Sequence, residues 1–185
     1  MEGAGVHLHR VFGFGDTEPF DPFLMMDDFR NDDPEKYMNG FPWHPHRGIE
    51  TITYVLKGNV QHSDSLGNKG VLSDGDVQWM TAGSGIIHQE MPSGNASGQM
   101  HGFQLWANLP RDQKMCTPRY QDIKSADINA LTDDDGSHIR VIAGDYRGYR
   151  GLVDGIDTDP SYLDIRLMPN VKKRFPFDTL SLIHI

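Results

Sequence analysis

Two short clusters in this sequence carry the residue types of a metal site: His44-Pro45-His46 with Glu50 four residues on, and His88-Gln89-Glu90 some forty residues later. Imidazole nitrogens and carboxylate oxygens are the ligand set of a non-haem iron site or a similar transition-metal site. The chain holds nine histidines, so a single His-x-His pair carries little weight. His7 and His9 make the point: they form such a pair with no carboxylate nearby and no glycine turn behind it, and read as part of a plain strand. His44, His46, His88 and Glu90 together are far harder to attribute to chance, and Glu50 stays open as a fifth group.

The elements that must position these groups are strands, in which side chains two apart share a face. His44, His46 and Glu50 share a parity with Ile52, Tyr54 and Leu56, so the histidines are expected on the face that looks into a core. Ile86, His88 and Glu90 repeat the pattern behind Gly83-Ser84-Gly85, a tight turn that would bring the second strand to the first. Strand signals recur throughout, in VHLHRVFG, ETITYVLKG, GNVQHSD, GVLSDGDVQWM, IIHQEM and HGFQLWANL. Together they can supply most of a jelly roll, a double antiparallel sheet closed around a ligand-sized interior.

Gly67-Asn68 and Asp74-Gly75 are hairpin-turn chemistry. The aspartates of DPFLMMDDFRNDDPEKY read as a solvated loop, with Met25 and Met26 as core filler. Gln78, Trp79, Gln104 and Trp106 are candidates to line the cavity, although alternation alone would equally place the tryptophans between sheets.

A boundary is expected near residues 110 to 137, where a polar connection opens at Pro110 and an acidic, turn-rich stretch follows from Lys124 to Ser137. HIRVIAGDY then starts a new strand, and SYLDIRLMP and the terminal DTLSLIHI continue the pattern. The division read from this is residues 1–115 for a barrel domain with the metal site, 116–137 for a linker and 138–185 for a partial second domain. The last segment has about half the residues a second jelly roll needs to close, and an open sheet edge favours self-association.

With 185 residues, 37% hydrophobic and 23% charged, the composition is that of a globular protein. No apolar run is long enough to span a bilayer and the first residues lack a signal-peptide layout, so the chain is expected to be cytoplasmic. The single cysteine, Cys116, excludes an internal disulfide and reads as an inert side chain. A net charge of -9 argues against direct binding to nucleic acid, which needs a basic face.

The runs FPWHPHRGIETITYVLKG, GDVQWMTAGSGIIHQEMP and HGFQLWANLP, in that order, resemble the amino-terminal cupin domain of the pirin family, which includes bacterial pirin-like proteins with quercetin 2,3-dioxygenase activity. EGAGVHLHRVFG and DPFLMMDDF fit the same family, and the similarity runs over about residues 2 to 178, ending near Thr179 where LSLIHI departs from it. The resemblance implies an all-β cupin jelly-roll barrel followed by an incomplete second cupin domain. It also implies iron(II) held by His44, His46, His88 and Glu90, with manganese, copper, nickel or zinc as alternatives. Other cupins more often use the glutamate at the position of Glu50. The pirin pattern leaves Glu50 to orient a ligand or hold a proton near the open face, as a supporting acid or base.

Two functions follow from the resemblance. One is an oxidoreductase that uses dioxygen to open a flavonol or related enolic aromatic, releasing carbon monoxide. The other is a non-enzymatic, iron-dependent redox sensor that acts through a regulatory protein partner, as vertebrate pirin does with a transcription factor. One fold hosts both roles, so membership does not choose between them.

Overall fold

Short alternating runs separated by glycine and aspartate turns give a molecule whose regular structure is almost wholly strand in the computed structural model, which describes residues 1–156 and 159–176. In chain order these begin with β1 (His9–Phe12), β2 (Phe23–Asp28), β3 (Phe41–His46), β4 (Ile49–Lys57) and β5 (Asn59–Asp64). Next come β6 (Lys69–Leu72), β7 (Val77–Thr81), β8 (Ile86–Ser93), β9 (His101–Asn108) and β10 (Arg119–Ile123). Then follow β11 (Asn129–Thr132), β12 (His138–Ala143), β13 (Asp145–Tyr146), β14 (Tyr149–Arg150) and β15 (Tyr162–Arg166). The strand expected over residues 178–185 lies outside the described residues. No helix among the described residues is long and apolar enough to cross a membrane.

Six strands form a sheet in the order β1-β2-β9-β4-β7-β10, faced by a four-stranded sheet in the order β3-β8-β5-β6. This is the expected jelly roll. Strand period decides what each face of the large sheet meets. Val55 points between the two sheets, where it packs with Val60 and Leu72 of the small sheet and with Val6, Phe29 and Tyr37. Ile52, Tyr54, Val77, Trp79 and Leu105 occupy the opposite face and share one core with Ile128, Ile142 and Ala143. The large sheet is therefore a middle layer, buried on both sides.

The third layer is the sheet β11-β12-β15. Along β12, Ile139 and Val141 turn outward to pack with Tyr146 and Phe175, while Ile142 turns toward the large sheet. Arg140 shares that inner side and donates from Nη1 to the Tyr54 hydroxyl at 2.7 Å and from Nη2 to the Gly75 carbonyl at 3.1 Å. The Tyr54 hydroxyl in turn donates to Asp164 Oδ2 at 2.7 Å. Burial and the Asp164 carboxylate push this phenol far above its ordinary range, so it stays protonated and keeps donating.

Three sequence expectations change here. The stretch 116–137, read as a linker, contains two strands: β10 pairs with β7 from Arg119↔Thr81 to Ile123↔Val77, and β11 pairs with β12. The solvated loop around residues 21–37 is in part strand β2, with Met25 and Met26 buried as core filler and Asp27 and Asp28 buried as well. These two carboxylates tolerate burial because Arg10 meets Asp27 through Nε and Nη2 at 2.9 Å each, and Arg30 Nε meets Asp28 at 2.7 Å. Parity is also not continuous from His46 to Glu50, because Gly48, at φ 69°, turns the chain from the small sheet into the large one.

Asp76 ties β10 to the hairpin before β7. Its side chain is 6% exposed and accepts from Ser73 N, Ser125 N and Lys124 Nζ at 3.0, 2.8 and 2.8 Å. Burial pushes its carboxyl up, but these donors outweigh it and the net pKa lies below the ordinary value. A depressed folded-state pKa stabilises the fold above the unfolded value of about 4, and that contribution is lost as pH falls through the lowered value. Asp76→Asn is expected to cost about 1–3 kcal/mol at pH 7. Chemical denaturation of both proteins should show the gap narrowing at pH 3, and an unchanged gap would reject the assignment.

Candidate metal centre

His44 and His46 sit on β3 and His88 on β8, and the two strands pair antiparallel with His44 directly opposite His88. The corners that deliver these strands are bonded to each other, Gly48 N donating to Gly83 O at 2.8 Å. At Gly83 the backbone takes φ 49°, which a side chain resists, so this turn needs its glycine. A register shift between Phe41 and His44 marks a bulge in β3, the device by which a strand re-aims a side chain. β3 is also the edge of its sheet, where Pro42 and Pro45 cost few ladder bonds.

One donor atom from each of His44, His46 and His88 lies within 4.8 Å of the others. His44 Nε2 and His88 Nε2 are 3.0 Å apart. Two nitrogens at right angles around one metal, each about 2.1 Å from it, stand about 3.0 Å apart. His44 Nδ1 lies 2.8 Å from the Pro42 carbonyl, which can only accept, so Nδ1 carries the proton and Nε2 presents its lone pair. His46 Nε2 is buried without a hydrogen-bond partner among the described residues.

Burial lowers the His46 pKa to about 4, helped by the nearby His88 and His44 rings, and lowers His88 to about 3, helped by His44. Both rings are therefore neutral at pH 7, the form that binds a metal. A convergent set of imidazoles with an unsatisfied buried nitrogen fits a transition metal.

Of the two glutamates, Glu90 shares the inner side of β8 with His88 and borders the same cavity, although its oxygens do not join the close histidine group. Oε1 of Glu90 accepts from the Thr53 hydroxyl at 3.0 Å. Glu50 stands elsewhere. It shares the parity of Ile52 and Tyr54 on β4, opposes Ala107 and Thr81, and accepts from Thr81 Oγ1 at 2.7 Å. Ala107, Ile52 and Tyr54 belong to the core on the far face of the large sheet, so Glu50 is turned away from the histidines.

Above the histidines opens a cavity of about 660 Å³, bordered by His44, His46 and Glu90. Its walls are largely apolar, with Phe29, Tyr37 and Phe41 on one side and Trp106 over His46 at 4.9 Å between ring centres. Gln104 and Trp106 line it as expected, whereas Gln78 bonds His62 and Asp122, and Trp79 is buried in the far core. Sequence reasoning missed the amino-terminal wall, Glu2 to Arg10, and the Arg10–Asp27 pair at the cavity's edge. The alternation of Met25, Asp27 and Phe29 was the available signal. His7 and His9 take no part in the histidine group, and Cys116 is a free cysteine.

The Pirin family model matches residues 5–107. A pirin-like protein of Caulobacter vibrioides is 46% identical over 167 residues, covering 90% of this chain and 60% of its own. The crystal structure of quercetin 2,3-dioxygenase from Acinetobacter baumannii superposes with a TM-score of 0.75 at 37% identity, covering 84% of this chain and 57% of the other. That of a bacterial pirin from Escherichia coli in complex with nickel(II) gives 0.56 at 25% identity, covering 79% and 69%. The chain thus spans about 60% of the length of the curated relative. Matched by the family model over more than half its length and folded as the same cupin barrel, the chain belongs to the pirin family.

Proposed function

We propose that this protein binds a divalent transition metal, iron in the cell, through His44, His46, His88 and Glu90, and uses dioxygen to open a flavonol or similar enolic aromatic. The observation that carries the reading is the convergence of three imidazoles beneath a mostly apolar cavity of about 660 Å³, within the range of pockets that hold drug-sized ligands. The relatives support it to the extent that a solved structural neighbour is named quercetin 2,3-dioxygenase. Bound at the histidines, the metal would supply an electrophilic, redox-active centre at which a substrate oxygen and dioxygen meet.

The chain's own part is to bind, orient and exclude water. Phe29, Tyr37, Phe41 and Trp106 offer flat apolar walls that would hold an aromatic ring and exclude water. Glu90 borders the cavity beside the histidines, where its carboxylate would complete the ligand set.

The test is an aerobic assay of metal-loaded protein with quercetin, following loss of the flavonol absorbance and release of carbon monoxide. Turnover that disappears in His88→Ala is expected. Stoichiometric metal without any turnover would reject the enzymatic reading in favour of a partner-binding role. That role has its own support: Trp43 and Ile87, 54% and 47% exposed, lie on the strands that carry His44 and His88. Metal analysis of protein purified without chelator or added metal tests the choice of iron.

A further inference from the structure

Glu90 is not held by its own sheet. Oε1 meets the hydroxyl of Thr53 on the facing sheet at 3.0 Å, and that hydroxyl also lies 2.6 Å from the amide oxygen Oε1 of Gln104. A threonine hydroxyl has one hydrogen and donates once. Glu90, as a carboxylate, can only accept, so the hydrogen goes to Glu90. Two acceptor oxygens then face one hydrogen, and turning the Gln104 amide end for end, which leaves its shape unchanged, resolves the clash by letting its NH2 group donate to Thr53.

The chain of bonds therefore has one direction, from Gln104 to Thr53 to Glu90. The pairing of β4 with β9 sets Thr53 directly opposite Gln104. Thr53 and Glu90 are 3% and 6% exposed, so water does not compete for the bond between them.

We infer that Thr53 and Gln104 are positioning residues for the metal, holding Oε1 of Glu90 so that Oε2 is left as the ligand atom. The inference rests on the reading of His44, His46 and His88 as metal ligands. Thr53 fixes which carboxylate oxygen is tied, and Gln104 fixes which way Thr53 donates. A glutamate in place of Gln104 has nearly the same shape but only acceptors, so two carboxylates would contest one hydrogen.

The experiment titrates metal-free protein with cobalt(II), reads the visible absorption of the bound ion and measures affinity by chelator competition. Thr53→Ser keeps the hydroxyl and should bind within about twofold of wild type, while Thr53→Val and Gln104→Glu should bind about 10- to 100-fold more weakly with an altered visible band. The melting temperature of each metal-free protein reports its fold separately. Should Thr53→Val fail to fold, Gln104→Glu decides alone, since Gln104 is only half buried and the replacement is nearly isosteric. Wild-type affinity or tighter, with an unchanged spectrum, in Gln104→Glu or in a folded Thr53→Val overturns the inference and leaves the metal reading standing. A wild-type protein that takes up no cobalt overturns both.

Discussion

His88→Ala and His44→Ala are each expected to abolish stoichiometric metal binding while the barrel stays folded. His88 is 1% exposed and opposes His44 across the β3–β8 ladder, so either replacement removes one of the two nitrogens that stand 3.0 Å apart. Loss of a supporting partner weakens metal binding by about 10- to 100-fold, and loss of a ligand itself should exceed that range. The fold does not depend on these rings in the same way. The interior is filled by Val55, Val60, Leu72, Phe29 and Tyr37, whose packing with one another does not need the histidine rings. Glu50→Gln is the internal control: its side chain lies on the other face of the large sheet, so metal affinity should be unchanged although stability falls. Equilibrium dialysis with elemental analysis reads all three variants, and full occupancy in either histidine variant would reject the site.

A chain ended at residue 115 is expected to be insoluble or aggregated. Such a chain keeps His44, His46, His88 and Glu90 but loses β10 and the whole third layer. Ile52, Tyr54, Val77, Trp79 and Leu105 would then lack Ile123, Ile128, Ile142 and Ala143, their partners in one continuous core. Each large apolar side chain left uncovered forgoes about 1.5–3 kcal/mol, and five of them approach the 5–15 kcal/mol that is all a domain has in hand. The Arg140–Tyr54–Asp164 bonds vanish as well, leaving a buried phenol to find water. Size-exclusion chromatography of residues 1–115 beside the full chain is the measurement. A monodisperse, metal-binding fragment would show that the first 115 residues fold independently.

The histidine centre was readable because its information is local. His44 and His46 are two apart on one strand, and Gly83 and Gly85 announce the turn that returns His88 to them. Glu50 was misplaced for a reason that local pattern cannot show: the strand period is lost where Gly48 carries the chain from one sheet to the other. Asp27 and Asp28 looked solvated because their arginine partners are decided by tertiary pairing; Arg10 lies 17 residues from Asp27. Strands β10 and β11 escaped notice since RYQDI and NALT are edge strands, only partly buried and free of the alternation a buried strand must keep. Thr53 gave no signal at all, as nothing in TITYVL distinguishes a threonine that holds a carboxylate from one that fills a strand.

The large sheet is shared by two layers, and this has an evolutionary consequence. A residue such as Tyr54 answers at once to its strand neighbours and to Asp164 and Arg140, which lie 110 and 86 positions away. Drift in the carboxy-terminal layer is therefore constrained by the wall that also shapes the metal pocket. Among relatives, exchanges at positions 54, 140 and 164 should occur in concert.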